Sequence, residues 1–222
     1  MMLMMNQYLN TKKQHQEMQK ILEREMDLLV ITDLMRDSFR KAGFTPCSIL
    51  DNLMTRGDEE NKQRLTGVNI RPTSIQLSRM SERFDTVTAV ETNFTVYATR
   101  DEIFQINQRV LIADCYHAEV KEIAQVRLFD NVQKISFVSP LTYSYQKPVY
   151  MGEWINETYY THVSLSHDSS LFYKFRHAEE LMSGVHSLIG RLEEVKGQKL
   201  LRVTLGFNQN HQVDLNTMVR TN

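Results

Sequence analysis

From Thr11 to Ala42 the chain carries no Gly or Pro, and its apolar residues recur at steps of three and four. Met18, Leu22, Met26 and Leu29 make one line, and Leu28, Ile31, Met35, Phe39 and Ala42 make another. That spacing predicts one long helix with two apolar stripes, ending at Gly43. Thr45 as N-cap, Pro46 at the first helical position, and Ile49, Leu50, Leu53 and Met54 on one side predict a second, short helix stopped by Gly57. The two would form a helical hairpin. Two stripes require two contacts. One is expected against the short helix through Ile49, Leu53 and Met54, and the other against a second chain, with Leu28, Ile31, Met35 and Phe39 as the candidate assembly residues.

Asp58 to Ser81 is polar and punctuated by Gly67 and Pro72, which places a boundary near residue 67. Residues 1–66 then read as a helical assembly region and 67–222 as an antiparallel α+β domain. Past the boundary the period changes to two, predicting strands at 84–90, 94–98 and 110–113. A hairpin follows over 123–138 across Asp130-Asn131, another over 149–166 across Asn156-Glu157, and a strand over 170–175. Ala178, Leu181, Val185, Leu188, Leu192 and Val195 return to helical steps, so an amphipathic helix is expected over 177–196, closed by Gly197. Leu201, Val203, Leu205 and Phe207 predict a final strand before a polar tail.

The fold class is therefore α+β: an N-terminal helical hairpin, then an antiparallel meander forming a curved sheet or partial barrel, capped by an amphipathic helix and a last strand. A strand such as Ser170-Leu-Phe-Tyr-Lys-Phe175 leading into a capping helix resembles the pleckstrin-homology-type barrel over residues 84–196. Trp154 on a strand and a further strand after the helix depart from it. A helix-grip sheet enclosing a cavity is the other outline that fits.

Charge narrows the function. With 26 basic and 27 acidic residues the net charge is -1, and residues 132–178 hold only Lys134, Lys147, Lys174 and Arg176 against Glu153, Glu157 and Asp168. Nucleic acid is thereby disfavoured as a partner. Neither the five-residue apolar opening nor Leu28–Ile31 approaches a membrane span, so no transmembrane segment is expected. Cys47 and Cys115 lie far apart in dissimilar contexts and are expected to be independent thiols in a reducing cytoplasm.

No nucleophile elbow, phosphate loop or zinc-protease motif occurs, which points away from an enzyme. Asp114, Cys115 and His117, or His162 and His167, lack the further ligands a metal needs, so neither metal nor cofactor is expected. Ten of the twenty aromatic residues fall in 137–175, and two prolines bracket the loop that carries Tyr143 and Tyr145. Tyr143, Tyr145, Tyr150, Trp154 and Tyr159 are accordingly the candidate ligand- or partner-binding residues. The reading that joins these features is a non-enzymatic cytoplasmic protein-interaction or assembly module that binds a protein partner or self-associates as a homodimer. The alternative is a small hydrophobic-ligand-binding protein or enzyme with a cavity between sheet and C-terminal helix, in which His162 or Cys115 supplies the polar group.

Overall fold

The computed structural model describes residues 2–57, 63–163, 169–207 and 211–220, with side chains from residue 11 onward. Helix α1, Met2–Lys41, stops where expected. Gly43 follows it with φ +76°, a left-handed conformation that costs glycine little, and its N–H donates to Ser78 O at 2.9 Å. The expected short helix does not form. Residues 45–49 are a bend in which the Thr45 hydroxyl and Ser48 bond each other, and only a single 3-10 turn at Leu50–Asn52 follows. Cys47 is disulfide-bonded to Cys115, so the two cysteines are partners and not independent thiols. With this segment tied to the sheet and Leu50 and Leu53 buried against it, burial there does not require helix.

Thirteen strands follow among the described residues: β1 Met54–Arg56, β2 Val68–Arg71, β3 Ser74–Thr92, β4 Thr95–Thr99, β5 Arg109–Ala113, β6 His117–Leu128, β7 Val132–Phe137, β8 Tyr150–Val163, β9 Ser169–Lys174, β10 Ala178–Ser183, β11 Val185–Val195, β12 Gln198–Phe207 and β13 Gln212–Met218. Most of the chain is thus antiparallel sheet. Pairing runs β3-β4-β7-β6-β5-β8 and returns from β8 to β3, closing a circuit around Val96, Val110, Ile112, Ile123, Ile135 and Met151. The β6–β7 hairpin across Asp130-Asn131 is the one the sequence predicted.

Strands β3 and β8 run on beyond this circuit. There β2, β9 and β10 extend the sheet, and a second sheet of β11, β12 and β13 covers one face of it together with the last turns of α1. Leu28, Met35, Phe39, Ile75, Leu77, Tyr159, Leu188, Val203 and Leu205 form the core between them. β11 crosses very close: a Cβ on Gly190 would lie 2.9 Å from Ile75 Cδ1.

Three expectations are corrected here. The hairpin across Asn156-Glu157 is instead the middle of β8, where Asn156 accepts from Gln76 Nε2 at 2.8 Å and the buried Glu157 pairs with Arg79 at 2.9 Å. The expected end of that strand, Ser166, lies outside the described residues. Residues 177–196 form β10 and β11, not a helix. Register shifts at Glu180/Met182 and Val185/Ser187 each insert a residue, and these bulges place Met182, Val185 and Leu188 inward at steps of three, a spacing that imitates a helix. The pleckstrin-homology-type outline, which depended on that helix, does not carry over. The polar tail also contributes β13, in which Leu215 is buried.

Candidate interaction surfaces

The loop of residues 139–148, expected to present Tyr143 and Tyr145, is fastened to the barrel by three buried charged residues. Lys121 Nζ donates to Pro140 O at 2.5 Å and lies 3.0 Å from Glu119 Oε2. Glu119 accepts from Thr142 N at 2.9 Å and from Tyr145 Oη at 2.8 Å. Asp114 accepts from the amides of Tyr116, His117 and Gln146 at 2.8, 2.6 and 2.8 Å. Burial alone would raise the Asp114 carboxyl, but these donors outweigh it and hold the group below its ordinary value. Burial, then the negative Glu119 beside it, pushes the Tyr145 hydroxyl well above its usual range, so it stays a donor. Tyr143 lies flat on His117, with ring centroids 4.8 Å apart. Cys115 is committed to Cys47 and Asp114 to these amides, which leaves the proposed metal ligands otherwise engaged. His167 lies outside the described residues.

The structure separates the remaining aromatic candidates. Tyr159 is fully buried, donates to Ser38 Oγ at 3.0 Å and meets Phe39 edge-on at 5.8 Å, so a candidate binding residue and a candidate assembly residue pack on each other in the core. Desolvation drives its hydroxyl far above the ordinary value. Tyr150 packs on Phe84 at 5.5 Å. Trp154 is half-buried and lines an open groove of about 740 Å³.

The groove is built by alternation. Along β8, Glu157 and Tyr159 turn to the core while Trp154, Asn156 and Thr158 turn outward. Thr158 is opposite both Gln76 of β3 and Lys174 of β9, and Arg109 at the start of β5 lies beside them, next to Val110, which pairs with Glu153. The loop before β5 supplies an apolar wall in Ile103 and Ile106. At the rim Arg176 pairs with Glu153 at 2.7 Å and covers the ring of Phe175. Sequence reading singled out Trp154 but missed Gln76, Arg109, Asn156 and Lys174. The available signal was the polar half of the β8 alternation, obscured by placing a turn at Asn156.

On α1 the two stripes have different fates. Leu28, Ile31, Met35 and Phe39, the candidate assembly residues, face the chain's own core. They pack on sheet strands and not on the segment carrying Ile49, Leu53 and Met54, of which Met54 is itself exposed. The other stripe is uncovered: Met18, Leu22, Met26 and Leu29 are 60–66% exposed, and Val30 and Leu34 widen the face. Every described residue of α1 before Leu28 is exposed. No helix among the described residues is long and apolar enough to cross a membrane. Compared with known protein families, with curated proteins and with solved structures, the chain finds no match.

Proposed function

We propose that the chain is a non-enzymatic assembly module that associates with a second copy of itself through the open face of α1. The carrying observation is the exposed stripe Met18, Leu22, Met26 and Leu29 on a helix that is buried against the body only from Leu28 onward. Leu22, Met26 and Leu29 step by four and three, the seam of a two-helix coil. Between Thr11 and Ala42 seven basic residues oppose six acidic ones, so two identical helices meet without net repulsion. The assembly region corresponds to the 1–66 unit, with 67–222 as the body it joins.

Full burial of one such side chain contributes about 1.5–3 kcal/mol, and these are roughly 60% exposed, so eight of them across a two-fold contact supply on the order of 8–16 kcal/mol. Association costs about 4–15 kcal/mol, so a micromolar dimer, which needs a surplus of about 8 kcal/mol, requires a cost near the low end of that range. The large groove is open and polar, a poor container for an apolar ligand, and does not favour the hydrophobic-ligand alternative. Sedimentation velocity at about tens of micromolar is the test. The full chain should run as a dimer, the double variant Leu22→Glu/Leu29→Glu as a folded monomer, and Leu192→Glu, at an exposed site on β11, as a dimer. A wild-type chain of monomer mass sinks the proposal.

A further inference from the structure

We propose that the groove lined by β3, β5, β8 and β9 binds an acidic oligosaccharide, with Trp154 as its stacking platform and Lys174, together with Arg71 of β2 in the adjoining hollow, as cations for the sugar carboxylates. This stands independently of the helix reading. At about 740 Å³ the groove lies within the usual range of ligand sites, and an adjoining hollow of about 200 Å³ shares Gln76, Arg109, Trp154 and Asn156 with it. The ligand would therefore lie along the sheet in more than one subsite.

Charge selects an anion. Across the two hollows the described lining holds Arg64, Arg71, Arg109, Lys174 and Arg176 against a single carboxylate, Glu153, in a molecule whose net charge is -1. Glu153 is already paired with Arg176, and no described carboxylate pairs with Lys174 or Arg71. Guanidinium and ammonium groups bind carboxylates and sulfates through charge-assisted hydrogen bonds.

Polar chemistry selects a sugar over a nucleic-acid strand. Gln76 and Asn156 bond each other through one N–H and one oxygen, which leaves Gln76 Oε1 and Asn156 Nδ2 as an acceptor and a donor facing the groove, with the Thr158 hydroxyl able to do either. Sugar hydroxyls both donate and accept, whereas phosphodiester oxygens only accept. Glu153 can accept a hydrogen bond from a sugar hydroxyl. A single strand also needs a row of aromatic faces for successive bases. Here Trp154 stands alone, because the Phe175 ring is covered by Arg176, and Tyr160 and Phe172 stack on each other at 5.4 Å, further along β8. Among the described lining residues the one carboxylate, held in an ion pair, is not the pair that glycoside hydrolysis uses.

Trp154 is the only tryptophan in the chain, so its fluorescence reports on the groove alone. Titration of the full-length protein with hexagalacturonate should give a saturable change in emission that weakens with salt. Maltohexaose, of similar length and no charge, should give none at the same concentrations. Arg71→Ala and Lys174→Ala should each weaken binding about tenfold, as loss of one charge-assisted hydrogen bond implies. Lys134→Ala, on β7 outside the groove lining, should leave it unchanged. Urea midpoints matching wild type establish that the variants are folded. A failure of hexagalacturonate to bind up to millimolar concentration overturns the proposal. So does maltohexaose binding equally well, and so does a dodecamer of deoxythymidine binding more tightly, which would assign the groove to nucleic acid.

Discussion

Gln133 sits fully buried on β7, and its Nε2 reaches three acceptors: Asp85 Oδ2 at 2.5 Å, Thr99 O at 2.9 Å and Glu102 O at 2.6 Å. Asp85 is also fully buried and accepts the amides of Asp101 and Glu102, each at 3.1 Å, on its other oxygen. These bonds pin the start of the loop whose next residues include Ile103 and Ile106, the apolar wall of the groove. Gln133→Met keeps the length of the side chain and removes the donor. The loss is one hydrogen bond to a charged group, about 1.5–3 kcal/mol, one ordinary bond, about 0.5–1.5 kcal/mol, and the penalty of a buried acceptor left short, about 1–3 kcal/mol. Removal of Gln133 Oε1, a buried acceptor with no partner among the described residues, offsets about 1–3 kcal/mol of this, so a destabilisation of roughly 2–5 kcal/mol remains, a large part of a total near 5–15 kcal/mol. Urea unfolding at neutral pH should show the midpoint falling by roughly 1–2 M with the slope unchanged. A loss below about 1 kcal/mol would refute the assignment of Gln133 as the clamp of this corner.

Proton linkage gives the same variant a second readout. Burial raises the Asp85 carboxyl above its ordinary value, although the bonds from Glu102 N, Gln133 and other donors partly oppose it. The native state therefore holds the proton to higher pH than the unfolded chain does. Stability must fall as pH rises from the unfolded value of about 4 through the folded one, and level off above it. Removing the Gln133 donor raises the folded value further and widens that window upward. The stability difference between wild type and Gln133→Met should accordingly be smaller near pH 4 than near pH 7. A difference that stays constant over that range would show that the Asp85 charge does not sense the amide.

Three further outcomes test other parts of the structure. At a protein concentration low enough to keep the chain monomeric, Met35→Ala or Phe39→Ala should cost about 2–5 kcal/mol in urea unfolding, whereas Leu22→Ala should change it by less than about 0.5 kcal/mol; equal effects would mean that both stripes of α1 are buried within one chain. Tyr145→Phe should cost about 1–3 kcal/mol, because it strips a donor from the buried Glu119, and an unchanged midpoint would show that the loop of residues 139–148 is held without it. Reduction of the Cys47–Cys115 bond, which closes a stretch of 68 residues, should lower stability by about 2–4 kcal/mol, and identical thermal midpoints with and without reductant would count against the bond in solution.

Much of the architecture was legible because period and composition agreed. Helix α1 and its stop at Gly43 follow from an uninterrupted helical spacing and one glycine, and the β6–β7 hairpin follows from alternation on both sides of Asp130-Asn131. The misread elements share a cause, which is that a distant partner overrode the local signal. Asn156-Glu157 has turn chemistry, yet Gln76 and Arg79 of β3 hold both residues in the ladder. Residues 178–195 have helical spacing, yet two bulges pack that spacing against β9 and β12. Pro46 and the apolar residues after it have the look of a helix start, yet Cys47 is held by Cys115, 68 residues away. None of these partners can be located from the segment itself.

The sites divide in the same way. Two stripes on α1 were visible as spacing, but which of them faces the body depends on where β12 and β13 arrive, and those strands lie at the far end of the chain. The aromatic density of 137–175 was visible too, and part of it is engaged within the chain: Tyr145 is bonded to Glu119 and Tyr159 is buried against Phe39. Trp154 and Phe175 line the open groove. Charge averaged along the sequence concealed the cationic character of that groove, because the stretch 132–178 contains Lys174 and Arg176 but not Arg71 or Arg109. Sheet pairing gathers those cations from β2 and β5 onto the face that carries Trp154, while Glu157 on the core side of β8 and Asp85 and Glu119 in the barrel are buried elsewhere. A net charge of -1 is therefore compatible with a strongly cationic groove, since what sets the local field is the face on which each charged side chain emerges and not the total.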